Sequence, residues 1–287
     1  MGPSRACHRA PGLQHAGMEI QFTKSRWEYS QVPFDDYAAR VAADGFQGAE
    51  VFLMREASAD SVIRDSLQSR GLFLIAQVIT QGRDSRGHGQ SLEPQLARAA
   101  ACGARFANCH TGSDFFAFEE NCRLFQEAEE IGRRHGLEVL HETHRGRALY
   151  NLPDTLRYLD ALPGLRLTAD ISHFMCVHES ELRDRPEMLA RVAERAGHIH
   201  ARVGFSEGPQ VGHPLAPEWA DLLGHYLGFW QSVLERMRQA GVKVATITPE
   251  AGPPGYMPVL PFTAQPVADA WTVNREMKDW LKSRLTA

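Results

Sequence analysis

The sequence of 287 residues is poor in cysteine and has no long apolar segment. Its five cysteines are an odd number and no two have the CxxC spacing, so we expect neither a disulfide framework nor a zinc-finger pattern. No stretch approaches the roughly 20 apolar residues that a membrane-spanning helix needs. We therefore expect a reduced, cytoplasmic protein that does not bind a membrane.

Positive charge is not in excess either. Lys and Arg total 31 against 35 Asp and Glu, which gives a formal net charge of −4. A protein whose main partner is nucleic acid usually carries a basic surface. We therefore expect no nucleic-acid partner, and a small polar metabolite is the better candidate.

The first residues, MGPSRACHRAPGLQHAG, differ in composition from the rest of the chain. They are basic and rich in Gly, Pro and His, and they lack the apolar centre of a signal peptide. We expect residues 1–17 to be a disordered N-terminal extension, with a transit peptide as the alternative. Residues 18–287 are expected to form a single domain.

From Met18 onward, short apolar runs alternate with segments of helical period. The predicted strands are 18–23, 48–53, 72–80, 105–112, 137–142, 165–170, 198–204 and 242–250. The predicted helices between them include 91–103, 118–136 and 179–197. Strands that alternate with helices indicate a parallel sheet, and eight such units indicate a closed (β/α)₈ TIM barrel. An open doubly wound sheet is the alternative, but its usual GxGxxG does not follow the first strand.

Polar residues lie at the ends of the predicted strands, where a barrel core would have Val, Ile or Leu. From strand two to strand eight they are Glu50, Gln77, His110, Glu142, Asp170, His200 and Glu250. In a (β/α)₈ barrel the functional side chains gather at the C-terminal ends of the strands. The pattern therefore predicts a polar site at that end of the barrel.

Four of these residues form a credible ligand set for a metal, namely Glu142, Asp170, His200 and Glu250. Three carboxylates and one imidazole suit Mn²⁺, Mg²⁺ or Co²⁺, and Zn²⁺ is also compatible. Each residue has a structural alternative: Glu142 pairs with Arg145 or Arg147, Asp170 caps the next segment, His200 is a core histidine, and Glu250 is a loop charge. Because all four have the same position in the barrel, we predict one bound divalent ion, with Mn²⁺ the first choice.

Six further side chains are predicted to bind substrate in the same pocket, with packing or surface pairing as the alternative for each. They are His173, Arg202, His110, His144, Arg145 and Glu50. Trp27 is predicted to lie deeper in the pocket or at its rim. The long loop 204–217 is rich in Gly and Pro and is expected to cover the barrel mouth, with Gln210 and His213 as candidate contacts.

The order of these motifs resembles the xylose isomerase-like barrel superfamily. The motifs read HETHR (141–145), DISH (170–173), HIHAR (198–202) and TPE (248–250). The resemblance extends over essentially all of 18–287. That superfamily includes sugar isomerases and epimerases, inosose and dehydroshikimate dehydratases, keto-glycoside lyases and endonuclease IV.

The resemblance implies a mechanism for the sugar-converting members. The metal chelates a carbonyl and the adjacent hydroxyl, a glutamate removes the proton alpha to the carbonyl, and the metal stabilises the enediolate. By position, Glu142 and Glu250 would be ligands that also act as acid and base on opposite faces of the substrate. Asp170 and His200 would be ligands only. This agrees with the general requirement for a base within reach and a cation near the developing charge.

We therefore expect a divalent-metal-dependent isomerase or epimerase that acts on a small keto sugar or polyol ketone. The alternatives are a dehydratase or lyase that uses the same enolisation, and a non-catalytic carbohydrate-binding barrel. A nuclease is not expected, because endonuclease IV has a three-zinc cluster with further histidines, whereas strand three here carries Gln77 and the loop after strand seven lacks Asp-x-His. Since members of the superfamily often form dimers or tetramers, a homodimer or homotetramer is a further expectation.

Overall fold

Eight parallel strands form a closed barrel in a computed structural model that describes residues 17–285. Each strand is hydrogen-bonded to the next along the chain, and β8 closes the barrel against β1. The strands are β1 (Glu19–Ser25), β2 (Gly48–Phe52), β3 (Phe73–Ile79), β4 (Phe106–His110), β5 (Glu138–Glu142), β6 (Leu167–Ala169), β7 (Ala196–Ala201) and β8 (Val244–Pro249). The predicted (β/α)₈ TIM barrel is therefore confirmed. The predicted N-terminal extension lies outside the described residues except for Gly17, so its disorder stays a prediction.

Ten α-helices connect or follow the strands within residues 17–285. They are α1 (Phe34–Ala43), α2 (Asp60–Gln68), α3 (Ser85–Gln90), α4 (Leu92–Ala101), α5 (Phe118–His135), α6 (Leu152–Ala161), α7 (Ser172–His178), α8 (Pro186–Arg195), α9 (Ala220–Gln239) and α10 (Ala270–Leu285). Over the described part of the chain, none of these helices is both long and apolar enough to span a membrane.

The alternation of side chains along β5 separates the core from the site. Leu140 lies inside the barrel, where it packs with Ile75 and Phe106. His141 points to the other face and contacts the ring of Phe125 on α5, with ring centroids 4.8 Å apart. Because side chains alternate with a period of two residues, Glu142 returns to the inside of the barrel, one step closer to its C-terminal mouth than Leu140.

Two predicted helices have different bounds in the structure. An additional helix, α3, precedes the helix predicted at 91–103, and its N-terminus is capped by Asp84, whose side chain accepts from the backbone N–H of Gly87 at 2.8 Å. The sequence SRGHGQ has two glycines and no apolar period, so periodicity could not indicate this helix. It forms because the cap satisfies a free backbone donor.

The helix predicted at 179–197 is shorter in the structure, because residues 179–185 are not helical and residues 196–197 already belong to β7. A short helix, α7, ends at His178, and α8 begins only at Pro186. Glu179 and Leu182 have φ angles of 48° and 56° between the two helices, which is incompatible with a continuous right-handed helix. Proline at the start of α8 is favoured there because its missing N–H needs no partner.

Close packing of α5 on β5 requires glycine at position 132. A Cβ added to Gly132 would lie 2.6 Å from both the carbonyl oxygen of Leu137 and a methyl carbon of Val139. The backbone oxygen cannot move without displacing the strand that ends in Glu142. In α9, Gly224 is exposed, and no other part of the described chain comes within 4 Å of the same position.

These two helical glycines give a matched test of the packing. We expect Gly132→Ala to lower the free energy of unfolding by about 1–3 kcal/mol, as overpacking does. Gly224→Ala should instead raise it by up to about 1 kcal/mol, because alanine has the higher helix propensity. Urea denaturation followed by circular dichroism measures both, and equal effects of the two substitutions would contradict the packing argument.

Candidate metal centre

Acidic and imidazole side chains meet at the C-terminal end of the barrel. They lie at or just after the ends of the four neighbouring strands β5 to β8, and are Glu142, Asp170, His200 and Glu250. All four are buried, and their ligand atoms lie within 4.8 Å of one another. The structure therefore brings together the side chains that the sequence assigned to the metal site.

The ring of His200 is held in one orientation by Glu50. Its Nε2 lies 3.0 and 3.1 Å from the two oxygens of Glu50. Glu50 also accepts hydrogen bonds from Thr248 Oγ1 at 2.9 Å and from Asn108 Nδ2 at 2.8 Å. Because Nε2 donates its proton to a fixed carboxylate, Nδ1 is the nitrogen that carries the lone pair whenever the ring is neutral. This arrangement, in which a carboxylate orients a histidine, is common behind metal ligands.

Two buried atoms at the centre of the cluster lack a hydrogen-bond partner. His200 Nδ1 and Glu250 Oε2 lie 2.8 Å apart, yet neither makes a hydrogen bond to any described residue. Arg202 Nη2 is 2.7 Å from the same glutamate oxygen, also outside hydrogen-bonding geometry. Buried polar atoms that make no hydrogen bond are energetically costly. A divalent cation would satisfy both atoms, so the residues present fit a metal ion.

The surrounding carboxylates favour a positive charge at His200. Burial lowers the pKa of its imidazole, but Glu250, Glu50 and Glu142 outweigh this effect and raise the pKa well above its ordinary value. A metal ligand must be deprotonated, so an ion bound here would replace this proton. The position of the His200 ring therefore favours positive charge, either as a protonated imidazole or as a bound metal ion.

Glu142 is held as a carboxylate by two donors. Its Oε2 accepts a hydrogen bond from Asn108 Nδ2 at 2.7 Å and lies 2.7 Å from His110 Nε2. Burial raises its pKa, but His110 and His200 lower the pKa well below its usual value. Glu142 is therefore ionised at neutral pH and able to accept a proton or a cation.

Asp170 is positioned by the end of β5. The hydroxyl of Thr143 accepts from the backbone N–H of Asp170 and donates to its carbonyl, both at 2.8 Å. The carboxylate then accepts from the backbone and hydroxyl of Ser172 at 2.9 and 2.6 Å. Burial raises the pKa of Asp170 to about 6, and repulsion by Glu250 and Glu142 adds to the effect although Arg202 opposes it.

Arg202 is buried beside the cluster and pairs with it. Its Nε donates to Asp170 Oδ2 at 3.1 Å, and its Nη1 donates to Gln210 Oε1 at 3.0 Å. The same Gln210 oxygen accepts from the backbone N–H of Gly252 at 2.7 Å.

The long loop after β7 therefore contacts the site through Gln210, as the sequence suggested. His213 does not, since its Nε2 lies 3.1 Å from Glu276 on α10.

A cavity of about 320 Å³ opens above the cluster. Both Glu142 and Glu250 line it, and its wall includes Trp27 and Tyr256, whose rings meet edge to face with centroids 5.2 Å apart. The Nε1–H of Trp27 is buried without a partner among residues 17–285. The cavity therefore combines carboxylates with aromatic surface.

Four of the six predicted substrate-binding residues line this cavity, namely Glu50, His110, His144 and Arg202. His173 and Arg145 do not line it. His173 is fully buried under His144, with ring centroids 4.0 Å apart, and neither of its nitrogens has a hydrogen-bond partner in the described part of the chain. Arg145 stacks on Tyr256 at 5.0 Å. Contact of these residues with substrate stays a prediction.

Sequence reasoning missed two residues of the site. Asn108 donates to both Glu50 and Glu142, and it lies two residues before His110 on β4. The period of a strand places both on the inner face, so this signal was available. Tyr256 lies in the loop after β8, where no periodic pattern indicates which side chain turns toward the cavity.

Comparison with known proteins gives the same fold. The family model described as "Xylose isomerase-like TIM barrel" matches residues 38–207. No curated protein sequence matches the chain. Solved structures include a D-psicose 3-epimerase crystallised with D-fructose, at 12% identity and a TM-score of 0.62, with 93% of this chain and 100% of that chain covered.

Two other solved structures differ from that epimerase in activity. A protein described as a probable 3-DHS dehydratase from Bacillus anthracis is 14% identical with a TM-score of 0.60, and 92% of this chain and 99% of that chain are covered. Endonuclease IV from Thermus thermophilus is 17% identical with a TM-score of 0.58, over the same 92% and 99% of the two chains. At these identities the likeness establishes the fold and leaves the activity open.

One prediction for this site concerns its metal content. We expect the wild-type protein, prepared without chelator, to hold about one divalent ion per chain. Asp170→Asn should lose it, because the amide removes a negative charge while keeping the size of the side chain. Asp154→Asn, at the N-terminus of α6, is the control and should retain the ion. Elemental analysis measures all three proteins, and a metal-free wild type after Mn²⁺ is added back would contradict the assignment.

Another prediction for this site concerns Glu50. We expect Glu50→Gln to weaken Mn²⁺ binding roughly 10–100-fold, as loss of a carboxylate behind a histidine ligand does. Glu276→Gln, at the distant contact with His213, is the matched control. Calorimetric titration with Mn²⁺ gives the dissociation constants. Unchanged affinity in Glu50→Gln would mean that His200 does not need this carboxylate to present Nδ1.

Proposed function

The chain belongs to the xylose isomerase-like TIM barrel family, and on that premise we propose that it is a divalent-metal-dependent isomerase or epimerase. Its substrate would be a small keto sugar or polyol ketone. One observation carries the proposal: ligand atoms from four strands converge within 4.8 Å at a cavity lined by two of the same carboxylates. Those two are Glu142 and Glu250.

Glu142, Asp170, His200 and Glu250 would hold the ion, and the oxygen-rich set makes Mn²⁺ the first choice. When bound, the ion supplies Lewis-acid stabilisation of the negative charge that develops on the substrate oxygens as the alpha proton leaves. His200 Nδ1 and Glu250 Oε2, which are buried and lack a hydrogen bond to any described residue, support this assignment.

Proton transfer is assigned to Glu142 and Glu250. Glu142 ends β5 and Glu250 follows β8, and because these strands are not neighbours in the barrel, the two side chains reach the cavity from different sides. Glu142 is kept ionised by Asn108 and His110, as a general base requires. Removing a proton on one face of a carbon and returning one on the other inverts that carbon. Returning it to the neighbouring carbon moves the carbonyl group.

The cavity wall supports a substrate with hydroxyl groups. The indole of Trp27 lines the cavity, and its N–H is a buried donor that no described residue satisfies. The edge of Tyr256 meets the same indole, which fixes the ring in place. A wall that combines aromatic rings with polar groups suits a sugar better than it suits an apolar ligand.

A dehydratase or lyase is the second candidate. It would use the same proton abstraction and would also need an acid for the leaving group. His110 and His144 both line the cavity, with ring centroids 4.6 Å apart, and His144 Nε2 lies 3.2 Å from the Tyr256 hydroxyl. Of the two, His110 could supply that acid, whereas burial lowers the pKa of His144 to about 3 and leaves its imidazole neutral at pH 7. Product analysis by NMR separates the two, since a lyase loses a substituent and an isomerase keeps every atom.

The prediction for this function is exchange of substrate hydrogen with solvent. In D₂O with Mn²⁺, we expect the wild type to incorporate deuterium alpha to the carbonyl of at least one keto sugar. Glu250→Gln should reduce the exchange rate by about 10²–10⁴-fold, as loss of a general acid or base does. Proton NMR follows the reaction, and Glu276→Gln is the control that should keep the wild-type rate.

Sugar affinity measured on Glu250→Gln distinguishes an enzyme from a non-catalytic sugar-binding barrel. Retained affinity with lost exchange is the result expected of an enzyme. If a panel of keto sugars bound to the wild type and none exchanged hydrogen, the catalytic proposal would be wrong and the binding barrel would be favoured.

A further inference from the structure

Two guanidinium groups that line the cavity have no carboxylate partner among residues 17–285. Within this range, Arg147 makes a single side-chain hydrogen bond, from Nη1 to the carbonyl of Thr80 at 2.9 Å. Arg55 makes none with the described residues, and its guanidinium lies 5.5 Å from the ring centroid of Phe52. Both cations therefore keep free N–H donors at the cavity.

The two other arginines of the cavity are already paired. Arg26 forms an ion pair with Glu56 and donates to the carbonyls of Tyr29 and Val32 at 3.2 and 2.9 Å. Arg202 is occupied by the carboxylates of the metal cluster, as described above. The capacity of the cavity to bind an added anion therefore resides in the unpaired guanidinium groups.

The two unpaired arginines lie on the same side of the mouth. Arg147 belongs to the connection between β5 and α6, but it reaches Thr80, which directly follows β3. Arg55 follows β2, the neighbour of β3 in the barrel. The last residues of these strands, Phe52 and Ile79, line the cavity with them. Cationic groups thus lie at the β2–β3 side, and the two catalytic carboxylates of the proposed function follow other strands.

Arg147 is incompletely compensated in the protein alone. It is partly buried, and burial lowers the pKa of its guanidinium although Glu142 lies close enough to oppose this effect. A partly desolvated cation with one carbonyl partner gains from an anion in the cavity. Guanidinium binds carboxylates and phosphates through paired N–H groups, and more strongly than it binds neutral oxygens.

We propose that the substrate carries an anionic group, a carboxylate or a phosphate ester, that Arg147 and Arg55 bind at the β2–β3 side of the mouth. The carbonyl end of the substrate then lies against Glu142 and Glu250, a placement that rests on the proposed function. The cavity would select a keto acid or a ketose phosphate over the corresponding neutral sugar.

The test compares three six-carbon keto compounds on Mn²⁺-loaded protein by calorimetry. They are D-fructose, D-fructose 6-phosphate and 5-keto-D-gluconate, which carry no anion, a phosphate and a carboxylate. We expect one of the anionic compounds to bind at least about tenfold more tightly than D-fructose, and Arg147→Gln to remove that preference. Arg55→Gln should reduce it in part. Arg123→Gln, on the exposed face of α5, is the control and should keep it.

The anion with the larger Arg147-dependent gain identifies the chemical class. Equal binding of all three compounds by the wild type, or a preference that survives in Arg147→Gln, would overturn the proposal.

Deuterium exchange on the same samples separates this result from the proposed function. An Arg147-dependent preference without exchange leaves the anion site standing and the isomerase in error. Exchange on D-fructose that is unchanged in Arg147→Gln, with no preference for either anion, leaves the isomerase standing and the anion site in error.

Discussion

The need to compensate buried negative charge determines the architecture of the barrel mouth. Four carboxylates, those of Glu50, Glu142, Asp170 and Glu250, surround the ring of His200 in a region shielded from water. Arg202 is the one arginine in direct contact with this group of described residues. One guanidinium cannot balance four carboxylates, and isolated buried charges are strongly unfavourable. A protonated His200 reduces the imbalance, and a divalent ion removes more of it.

The layers beneath the cluster explain how the barrel tolerates this charge. Deepest lie the apolar side chains around Ile75, and above them polar groups bond to one another. His198 bridges Thr246 and Thr248 at 2.7 and 2.9 Å, and Thr248 continues to Glu50. Each of these hydrogen bonds orients the next group, so Glu50 contacts His200 in one geometry. The hydrogen-bonded layer therefore transmits the rigidity of the core to the cluster.

The sequence was sufficient for the barrel and for the convergence of Glu142, Asp170, His200 and Glu250. Both follow from strict physical periods: helices repeat near 3.6 residues, strands near two, and parallel strands present their C-terminal ends on one side. The same period contained Asn108, which was overlooked because an amide is not a first-choice ligand. Such residues remain predictable in principle, since the strand decides where their side chains point.

Loop residues could not be predicted in this way. Tyr256 turns into the cavity because the chain after β8 folds back over the mouth, and Arg147 crosses from the β5 loop to Thr80. The helix α7, which buries His173, forms within a segment whose sequence gave no clear period. In each case the conformation depends on tertiary contacts rather than on local spacing.

This division between strands and loops also bears on function. The strand ends provide a cluster whose geometry fits a metal ion, and barrels similar to this one include an epimerase, a protein described as a dehydratase and an endonuclease. A common fold cannot by itself distinguish such activities. Other groups of the cavity wall, namely Trp27, Arg55 and Arg147, come from the segments that follow the strands. In the proposed function these segments would select the substrate, while the buried charge balance at the strand ends would serve the chemistry.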